Sequence, residues 1–424
     1  MNISALFLLL LAIIRTPLFV VIGASAMLGF YSEDINLSVI SIEVYRLAEM
    51  PVLLAIPLFT FAGYLLGESQ ASTRLVNLTN SLLGWMPGGL AIVTIFACAM
   101  FTAFTGASGI TIIALGALLY PALKQSGYSE NFNLGLLTSS GSLGLLFAPS
   151  LPLILYGVVA QQMSLDKPVS IDQLFLAGVL PGLLMLVMLS IYAMSQPRTN
   201  IEKKPFNAKI AIETIKAAKW EIPLPFIVLG GIYGGYFAVS EAAAVTALYV
   251  MIAEVFIIRE IKLSQLPTIM RDSMVMVGGI MIIIGVSLAS TNYLIDTEVP
   301  TRLFDFIQQH IDDKLTFLIL LNLFLLALGM MLDIFSAIVI IVPIILPVAV
   351  GYGIHPVHLG IIFLANMQLG YFTPPVGMNL FIASYRFEKP VMSLYKATIP
   401  FFFILLVSVL IITYWPDLSL VLIE

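Results

Sequence analysis

The chain has 424 residues, of which 60% are hydrophobic and only 10% are charged, and its mean hydropathy is +1.05. This composition excludes an ordinary soluble globular protein and predicts an all-α polytopic membrane protein. The formal net charge of −5 is a small imbalance on few charges, so nucleic-acid binding is not indicated.

Several site classes are excluded or disfavoured by residue counts. Cys98 is the only cysteine, so the chain has no intrachain disulfide and no cysteine metal cluster. No Gly-rich loop ending in Lys-Ser or Lys-Thr occurs, so we expect no nucleotide. His355 and His358 lie at a predicted turn, where two ligands do not complete a zinc site. For these histidines we expect capping or surface roles.

Apolar segments of about 20 residues, long enough to cross a bilayer, recur along the chain. They fall at 5–29, 51–67, 132–160, 172–195, 222–238, 240–258, 272–292, 358–385 and 397–415. The first lacks a basic start and is too long for a signal peptide, so we interpret it as a spanning helix. Arg15 lies inside it. Because a charge at that depth is costly, we expect it to snorkel or to pair with another subunit.

Two apolar blocks, 89–122 and 315–350, are too long for single helices. Helix-weakening residues interrupt each block midway, from Thr105 to Gly109 in the first and from Gly329 to Ser336 in the second. We therefore predict two re-entrant helical hairpins.

Two of the apolar segments, 132–160 and 358–385, carry glycine and proline at membrane depth. Pro374-Pro375 in the second must break the helix, because proline lacks an N–H and clashes with the preceding turn. Broken backbone is tolerated in a bilayer only where protein or a polar cavity surrounds it. We expect two broken transmembrane helices at a binding site.

Glycine and proline positions repeat between the two halves at a constant offset of 226 residues. The matched pairs are Pro121 with Pro347, Gly127 with Gly353, Gly144 with Gly370, and Pro149 with Pro375. Thr73-Arg74-Leu75 also recurs as Thr301-Arg302-Leu303, at offset 228. This pattern indicates an internal duplication, and paired interrupted segments mark the binding site of many secondary transporters.

Loop charges predict the orientation of the chain through the positive-inside rule. The basic segments 196–221 and 259–271 are expected in the cytoplasm, and the acidic segment 293–314 outside. The N-terminus is then cytoplasmic and the C-terminus periplasmic. The two hairpins open to opposite faces, so the repeat is predicted to be inverted.

Each hairpin is preceded by an amphipathic segment, 73–85 or 301–313. Their spacing suits helices that lie at the membrane interface, either as arms between a moving and a fixed domain or as surface linkers. The domain organisation predicted from these elements has four parts. They are the N-terminal scaffold and first arm (1–88), the first transport repeat (89–195), the central scaffold and second arm (196–314), and the second transport repeat (315–424).

The motifs resemble those of the large membrane subunit of tripartite ATP-independent periplasmic (TRAP) transporters, of the ion-transporter superfamily. The most specific match is Gly370-Tyr-Phe-Thr-Pro-Pro-Val-Gly377, and further matches are at 55–63, 84–91, 106–109, 141–144 and 236–243. Two departures are Ala238-Val239, where Thr-Pro is usual, and Ala148, where a first proline is common.

The resemblance implies a sodium-coupled, elevator-type permease of the bacterial inner membrane. It implies two partners, a small four-helix membrane subunit and a soluble periplasmic binding protein that delivers a carboxylated substrate. C4-dicarboxylates and sialic acid are both compatible with the sequence.

Carbonyl groups freed at each hairpin tip and helix break, together with hydroxyl groups, would form oxygen cages that suit Na⁺, and we expect at least two ions. The candidate ligands of the first cage are Gly106, Ser108, Ser142, Gly144 and Pro149, and those of the second are Gly329, Asp333, Gly370, Thr373 and Pro375. The candidate substrate-binding residues are Thr105, Ser108, Asp333, Gln368 and Asn379.

Three of the polar residues also have a structural interpretation. Ser108 and Asp333 are candidate helix N-caps. Glu241 is expected at a helix start, where an acid favours the dipole, and we prefer that role for it.

Other functions remain as alternatives. An autonomous sodium/dicarboxylate symporter of the same superfamily would contain similar inverted hairpins. An intramembrane enzyme is disfavoured because Asp333 and Glu241 are scattered along the chain, and a passive channel because two gated half-sites are superfluous for a pore.

Overall fold

The computed structural model describes residues 8, 11, 16–46, 49–86, 88–163, 168–197, 206–311 and 313–423, so Arg15 lies outside the described residues. Within these ranges the regular secondary structure is helical, with no β-strand. Seven helices there are long and apolar enough to cross a membrane, or eight if one bent pair counts as a single span. The expected all-α polytopic architecture is confirmed.

The helices of the first half of the chain run in the following order. They are α1 (Leu18–Ser32), α2 (Ser38–Arg46), α3 (Ala55–Glu68), α4 (Ala71–Leu83), α5 (Gly89–Thr105), α6 (Ser108–Gln125), α7 (Glu130–Ser140), α8 (Leu151–Gln161) and α9 (Ile171–Ser195). One-turn 3₁₀ helices precede α3 at Pro51–Leu54 and join α7 to α8 at Leu143–Leu146.

The second half follows in the same way. Its helices are α10 (Ala208–Ala217), α11 (Pro223–Tyr233), α12 (Val239–Met251), α13 (Leu266–Asp296), α14 (Val299–Gln308), α15 (Lys314–Met331), α16 (Ile334–Gly351), α17 (Pro356–Gly370), α18 (Met378–Phe387), α19 (Val391–Tyr414) and α20 (Asp417–Leu420). A π-helical turn, Ile252–Ile257, continues α12.

Helix boundaries recur at the same 226-residue spacing as the glycines and prolines. The ends of α6 and α16, the starts of α7 and α17, and the ends of α8 and α18 are each separated by this distance. A two-residue connection joins α5 to α6 and another joins α15 to α16. The helix pattern of residues 89–161 therefore recurs in residues 314–387.

The interrupted segments lie at the centre of the packed structure. Every residue of α17 is buried. Residues 132–140 of α7 and residues 151–160 of α8 are also buried. The second break is more open than the first, because Pro374 and Pro375 are exposed whereas Pro149 is buried. Protein thus surrounds most of the irregular backbone. This is expected because lipid cannot form hydrogen bonds with free backbone N–H and C=O groups.

The prediction of a spanning helix at 222–238 is wrong in length. Helix α11 has 11 residues, which at about 1.5 Å per residue do not cross a hydrocarbon core of about 30 Å. It ends at Gly234-Gly235, where Gly235 has φ +71°. This left-handed conformation is typical of glycine just beyond a helix end.

The surface role expected for His358 is also wrong, whereas His355 does cap α17. The His355 ring accepts a hydrogen bond from the Val357 N–H at 3.2 Å. His358 is 3% exposed because the C-terminal segment folds back over α17. Its ring lies 3.1 Å from Ser419 Oγ and 3.3 Å from the Thr413 carbonyl oxygen.

The close approach of α15 to α17 yields a stability prediction. A Cβ at Gly370 would lie 2.5 Å from the Cα of Gly329, and backbone atoms there cannot move aside cheaply. We expect Gly370→Ala to lower the free energy of unfolding by about 1–3 kcal/mol, measured as a lower Tm in detergent. Gly278→Ala in α13 is the matched control, since no atom lies within 4 Å of its added Cβ. Equal Tm values for the two variants would contradict the close packing of the break.

Candidate functional site

The tip of the first hairpin is wedged between two other helices. Helix α5 ends at Thr105, and Gly106 turns the chain with φ +66°. A Cβ at Gly106 would lie 2.6 Å from Leu151 Cδ1 at the start of α8, and one at Gly63 of α3 would lie 2.7 Å from the Thr105 Cα. Packing on both sides therefore fixes the position of the tip.

Ser108 joins the first hairpin to the second half of the chain. Its hydroxyl donates to Asn379 Oδ1 at 2.8 Å, and Asn379 Nδ2 donates to the Thr138 carbonyl at 3.3 Å. Ser108 is 5% exposed and Asn379 is fully buried. The N-cap role considered for Ser108 is wrong, since the residue before α6 is Ala107 and no side chain caps that helix. Two predicted substrate-binding residues are thus in direct contact.

The first break lies against α5 through residues that the sequence analysis missed. Thr102 Oγ1 donates to the Gly141 carbonyl at 2.8 Å and lies 2.6 Å from Thr111 Oγ1. A Cβ at Gly144 would be 2.2 Å from the Ala99 carbonyl oxygen. The two threonines carry no distinguishing sequence signal, because a threonine in an apolar helix commonly bonds only to its own preceding turn.

The second break packs against the second hairpin. Gly329 lies against Gly370, and the Gly377 N–H donates to the Met330 carbonyl at 3.0 Å. Tyr371, also missed, accepts at its hydroxyl from the Ile334 N–H at 2.7 Å. The hairpin tip is therefore fastened to the break on both sides.

Of the remaining candidates of the second cage, Asp333 and Thr373 bond within their own segments and Pro375 bonds to α19. Half-buried Asp333 accepts from the Ser336 N–H at 3.0 Å and from the Ser336 hydroxyl at 2.5 Å, so its N-cap interpretation is confirmed. Thr373 Oγ1 donates to the Leu369 carbonyl at 2.6 Å. The Pro375 carbonyl accepts from Tyr395.

The two breaks meet at equivalent positions of the two halves. Ser142 Oγ lies 3.4 Å from the carbonyl oxygen of Gln368, 226 residues later, and 3.4 Å from that of Ser139. The Gln368 side chain is 1% exposed, yet neither atom of its amide has a hydrogen-bond partner. Ser140 Oγ and Asn366 Oδ1, again 226 residues apart, are also buried without partners. Such groups are rare in folded proteins and point to a ligand, an ion or water.

Glu241 has the structural role preferred for it. Its Oε2 accepts a hydrogen bond from the Ala238 N–H at 2.9 Å, at the start of α12. The carboxylate thus satisfies a free donor of the first helical turn.

Comparison with known proteins identifies the family. The sequence profile of the tripartite ATP-independent periplasmic transporter, DctM component, matches residues 4–418. The chain belongs to this family. It is a transporter permease component and not an enzyme, and the resemblance carried by its motifs is confirmed.

Two relatives show how far the similarity extends. The C4-dicarboxylate TRAP transporter large permease protein DctM of Pseudomonas aeruginosa is 34% identical over 94% of this chain and 92% of its own length. The isethionate TRAP transporter permease protein DctMQ of Oleidesulfovibrio alaskensis is 36% identical over 87% of this chain. The chain spans only 57% of that longer protein.

Among solved structures, the YdaH transporter of Alcanivorax borkumensis has a similar fold. The TM-score is 0.65, with 14% identity over 89% of this chain and 87% of that one. At this identity the similarity concerns the fold alone.

The contact between the halves generates a second prediction. Ser108→Ala would leave the buried Asn379 Oδ1 without its donor, so we expect a loss of about 1–3 kcal/mol in the free energy of unfolding. Ser408→Ala is the matched control, because Ser408 is also fully buried but its hydroxyl bonds only to the Ile404 carbonyl of its own helix.

A double-mutant cycle isolates this contact. Ser108→Ala, Asn379→Ala and the double variant should give a coupling energy of about 0.5–3 kcal/mol. Additive effects would mean that the two side chains do not interact.

Proposed function

We propose that the chain is the large permease subunit of a sodium-coupled TRAP transporter that imports a carboxylated solute. The observation that carries the proposal is the meeting of two helix breaks at buried polar groups without partners, in a member of this family. Helix breaks of this kind offer carbonyl oxygens to cations and helix N-termini to anions at mid-membrane.

The proposed mechanism is elevator-type alternating access. In it, 89–195 and 315–424 are inverted repeats that form a moving transport body, with 89–122 and 315–350 as re-entrant hairpins and 132–160 and 358–385 as broken helices. The other two regions, 1–88 and 196–314, form the scaffold and the arms. The constant 226-residue spacing of helix ends and the Ser142–Gln368 contact between equivalent positions support this arrangement.

Sodium is the proposed coupling ion, with at least two bound. The first cage would use Gly106, Ser108, Ser142, Gly144 and Pro149, and the second Gly329, Asp333, Gly370, Thr373 and Pro375. Two partner-less oxygen atoms, Ser140 Oγ and Asn366 Oδ1, support the binding of a cation at this place. Each lies two residues before the Ser142–Gln368 contact, where the breaks meet. Carbonyl and hydroxyl oxygens suit a monovalent hard cation. A bound Na⁺ would supply the positive charge that attracts an anionic solute.

The substrate is proposed to lie between the two hairpin tips, near Thr105, Ser108, Asp333, Gln368 and Asn379. The Gln368 amide offers both a donor and an acceptor that nothing else uses. Relatives are named for a C4-dicarboxylate and for sialic acid, so we propose a carboxylated solute of one of these classes. Another relative is named for isethionate, an organic anion with a sulfonate in place of the carboxylate.

We further propose the assembly and its location. The chain would act in the bacterial inner membrane with a small four-helix TRAP subunit and a periplasmic binding protein. Its N-terminus would be cytoplasmic and its C-terminus periplasmic. The basic residues of 196–221 support this orientation. The placement of 259–271 on the same face requires the whole segment 222–238, and not the 11-residue helix α11 alone, to cross the membrane.

The substitution Gln368→Met tests whether this side chain binds substrate, with little change in packing. Replacing it with the apolar Met removes two unpaired polar atoms, so Gln368→Met should leave stability unchanged or slightly higher. Uptake should nevertheless fall at least ~10-fold if the amide binds ligand, since a lost hydrogen bond to a charged group is worth about 1.5–3 kcal/mol. The control is Gln309→Met, at an exposed position. Normal uptake by Gln368→Met would remove this residue from the substrate site.

The function itself is tested by uptake of labelled organic anions into proteoliposomes. These would hold the chain, its small partner and the binding protein, with an inward Na⁺ gradient and with each component omitted in turn. We expect Na⁺-dependent uptake that stops when either partner is missing. Uptake by the chain alone would indicate the autonomous symporter, and uptake independent of the gradient would refute the sodium cages.

A further inference from the structure

A buried cluster of charges connects α4, the first amphipathic helix, to the central part of the chain, and it contains none of the residues of the proposed transport site. Arg74 of α4 contacts three carboxylates that come from two other segments. Its Nη2 lies 2.5 Å from Glu221 Oε1 and 2.9 Å from Glu254 Oε1, and its Nη1 is hydrogen-bonded to Glu260 Oε1. The Arg74 side chain is 13% exposed.

The three carboxylates differ in how completely they are paired. Glu260 is 22% exposed at its side chain, and both of its oxygens have partners, since Oε2 accepts from the Gln70 N–H at 2.8 Å. Glu221 and Glu254 are each 1% exposed at their side chains. Each has one oxygen, Oε2, that is buried without any partner.

The charges of the cluster do not balance. With every group ionised, three negative charges face one positive charge, and the two least exposed carboxylates are neighbours because both contact Arg74 Nη2. Like charges held close together out of water strongly disfavour double ionisation. The cluster therefore requires a further positive charge or the loss of a negative one.

A metal ion does not meet this requirement. The part of the chain that the structure describes contains no group of three or more His, Cys, Asp or Glu side chains arranged to hold a metal ion. Only two oxygens in the cluster are free of partners, whereas hard cations take about six oxygen ligands. A proton needs only one carboxylate oxygen, and it removes one negative charge from the cluster.

We propose that the Glu221–Glu254 pair binds one proton and so forms a protonation site at the junction of the arm helix and the scaffold. The charged groups that face Glu254 are Arg74 from α4, Glu221 from the segment before α11, and Glu260 from the segment after α12. The titratable hydroxyl of Tyr249, from α12, faces Glu221. With one proton bound, Arg74 faces two negative charges instead of three, and one of the two partner-less oxygens carries the proton. Loss of the proton restores the repulsion and loosens the attachment of α4.

Arg74 itself keeps its charge throughout. Burial works against the guanidinium, but its hydrogen bonds to Glu260 and Glu221 outweigh that cost and raise its pKa above the usual value. The group that titrates is consequently a carboxyl group. The site lies outside the two proposed sodium cages, so it is independent of the proposed coupling ion.

The test is the pH dependence of Tm for the purified full-length chain in detergent. An unfolded Glu loses its proton near pH 4.3, so above that pH the folded state holds more protons and stability falls as pH rises. We expect the wild-type Tm to fall as pH rises above about 4.3, and Glu254→Gln, which cannot titrate, to lose that part of the slope. Glu260→Gln is the matched control. It leaves both carboxylates of the pair in place, so its Tm should still fall as pH rises, but the fall should be complete at a lower pH because one of the negative charges that face Glu254 is gone.

Infrared spectra and the salt dependence of Tm test the proton site independently of the pH slope, including the case in which one variant folds poorly. Infrared difference spectra should show a protonated carboxyl band at neutral pH that disappears in Glu254→Gln or Glu221→Gln and persists in Glu260→Gln. Tm should also be compared in sodium chloride and choline chloride. Equal pH slopes in all variants, or a carboxyl band unchanged by all three substitutions, would overturn the proton site. A Na⁺-dependent rise in Tm that only Glu254→Gln and Glu221→Gln abolish would overturn it in favour of a metal cation.

Discussion

Irregular backbone inside a membrane protein must be enclosed by other protein, and this constraint organises the structure. At the second break the enclosure is so tight that Gly329 and Gly370 leave no room for a Cβ, and at the first Gly144 lies directly against the backbone of α5. Each break needs a neighbouring hairpin to cover it. The burial of every residue of α17 follows from the same need.

Around the junction of the two breaks the polar groups are enclosed by protein, but not all of them are hydrogen-bonded. The Gln368 amide, Ser140 Oγ and Asn366 Oδ1 are buried without partners, whereas neighbouring groups such as Ser108 and Asn379 bond to each other across the halves. Unpaired polar groups are costly in a protein interior unless something else binds them. Their concentration beside the junction of the two breaks is the reason for placing the transported solute and its ions there.

Much of the architecture was predictable because it depends on local chemistry. Glycine and proline weaken a helix, and both breaks and both hairpin connections fall where clusters of such residues interrupt the apolar runs. A single proline is not sufficient, since Pro121 and Pro347 lie inside α6 and α16. The contacts that build the site were less predictable. Ser108 looked equally suited to capping α6, and its true partner, Asn379, lies 271 residues away, a pairing that only the packing of the two halves determines. The burial of His358 likewise depends on the C-terminal segment, and nothing in residues 355–358 indicates it.

Within the part of the chain that the structure describes, the charge cluster at Arg74 has no counterpart at the corresponding arginine of the second half, Arg302. Arg74 and Arg302 occupy corresponding places in the repeated tripeptide, yet Arg74 is buried among three carboxylates while Arg302 is exposed. Among the described residues, the first amphipathic segment is therefore attached through a buried charge cluster, whereas the corresponding arginine of the second lies at the surface.

The central claim is that both breaks and both hairpins move as one body relative to the scaffold. Distances between spin labels test it most directly, in a background where the single Cys98 is replaced by alanine. One pair joins scaffold to transport body at exposed Val275 and Tyr385, and a control pair lies within the transport body at exposed Ile113 and Tyr385. We expect the Val275–Tyr385 distance to change between the Na⁺-free state and the state loaded with Na⁺ and substrate. The Ile113–Tyr385 distance should stay constant. A constant first distance, or a control pair that separates, would contradict movement as one body.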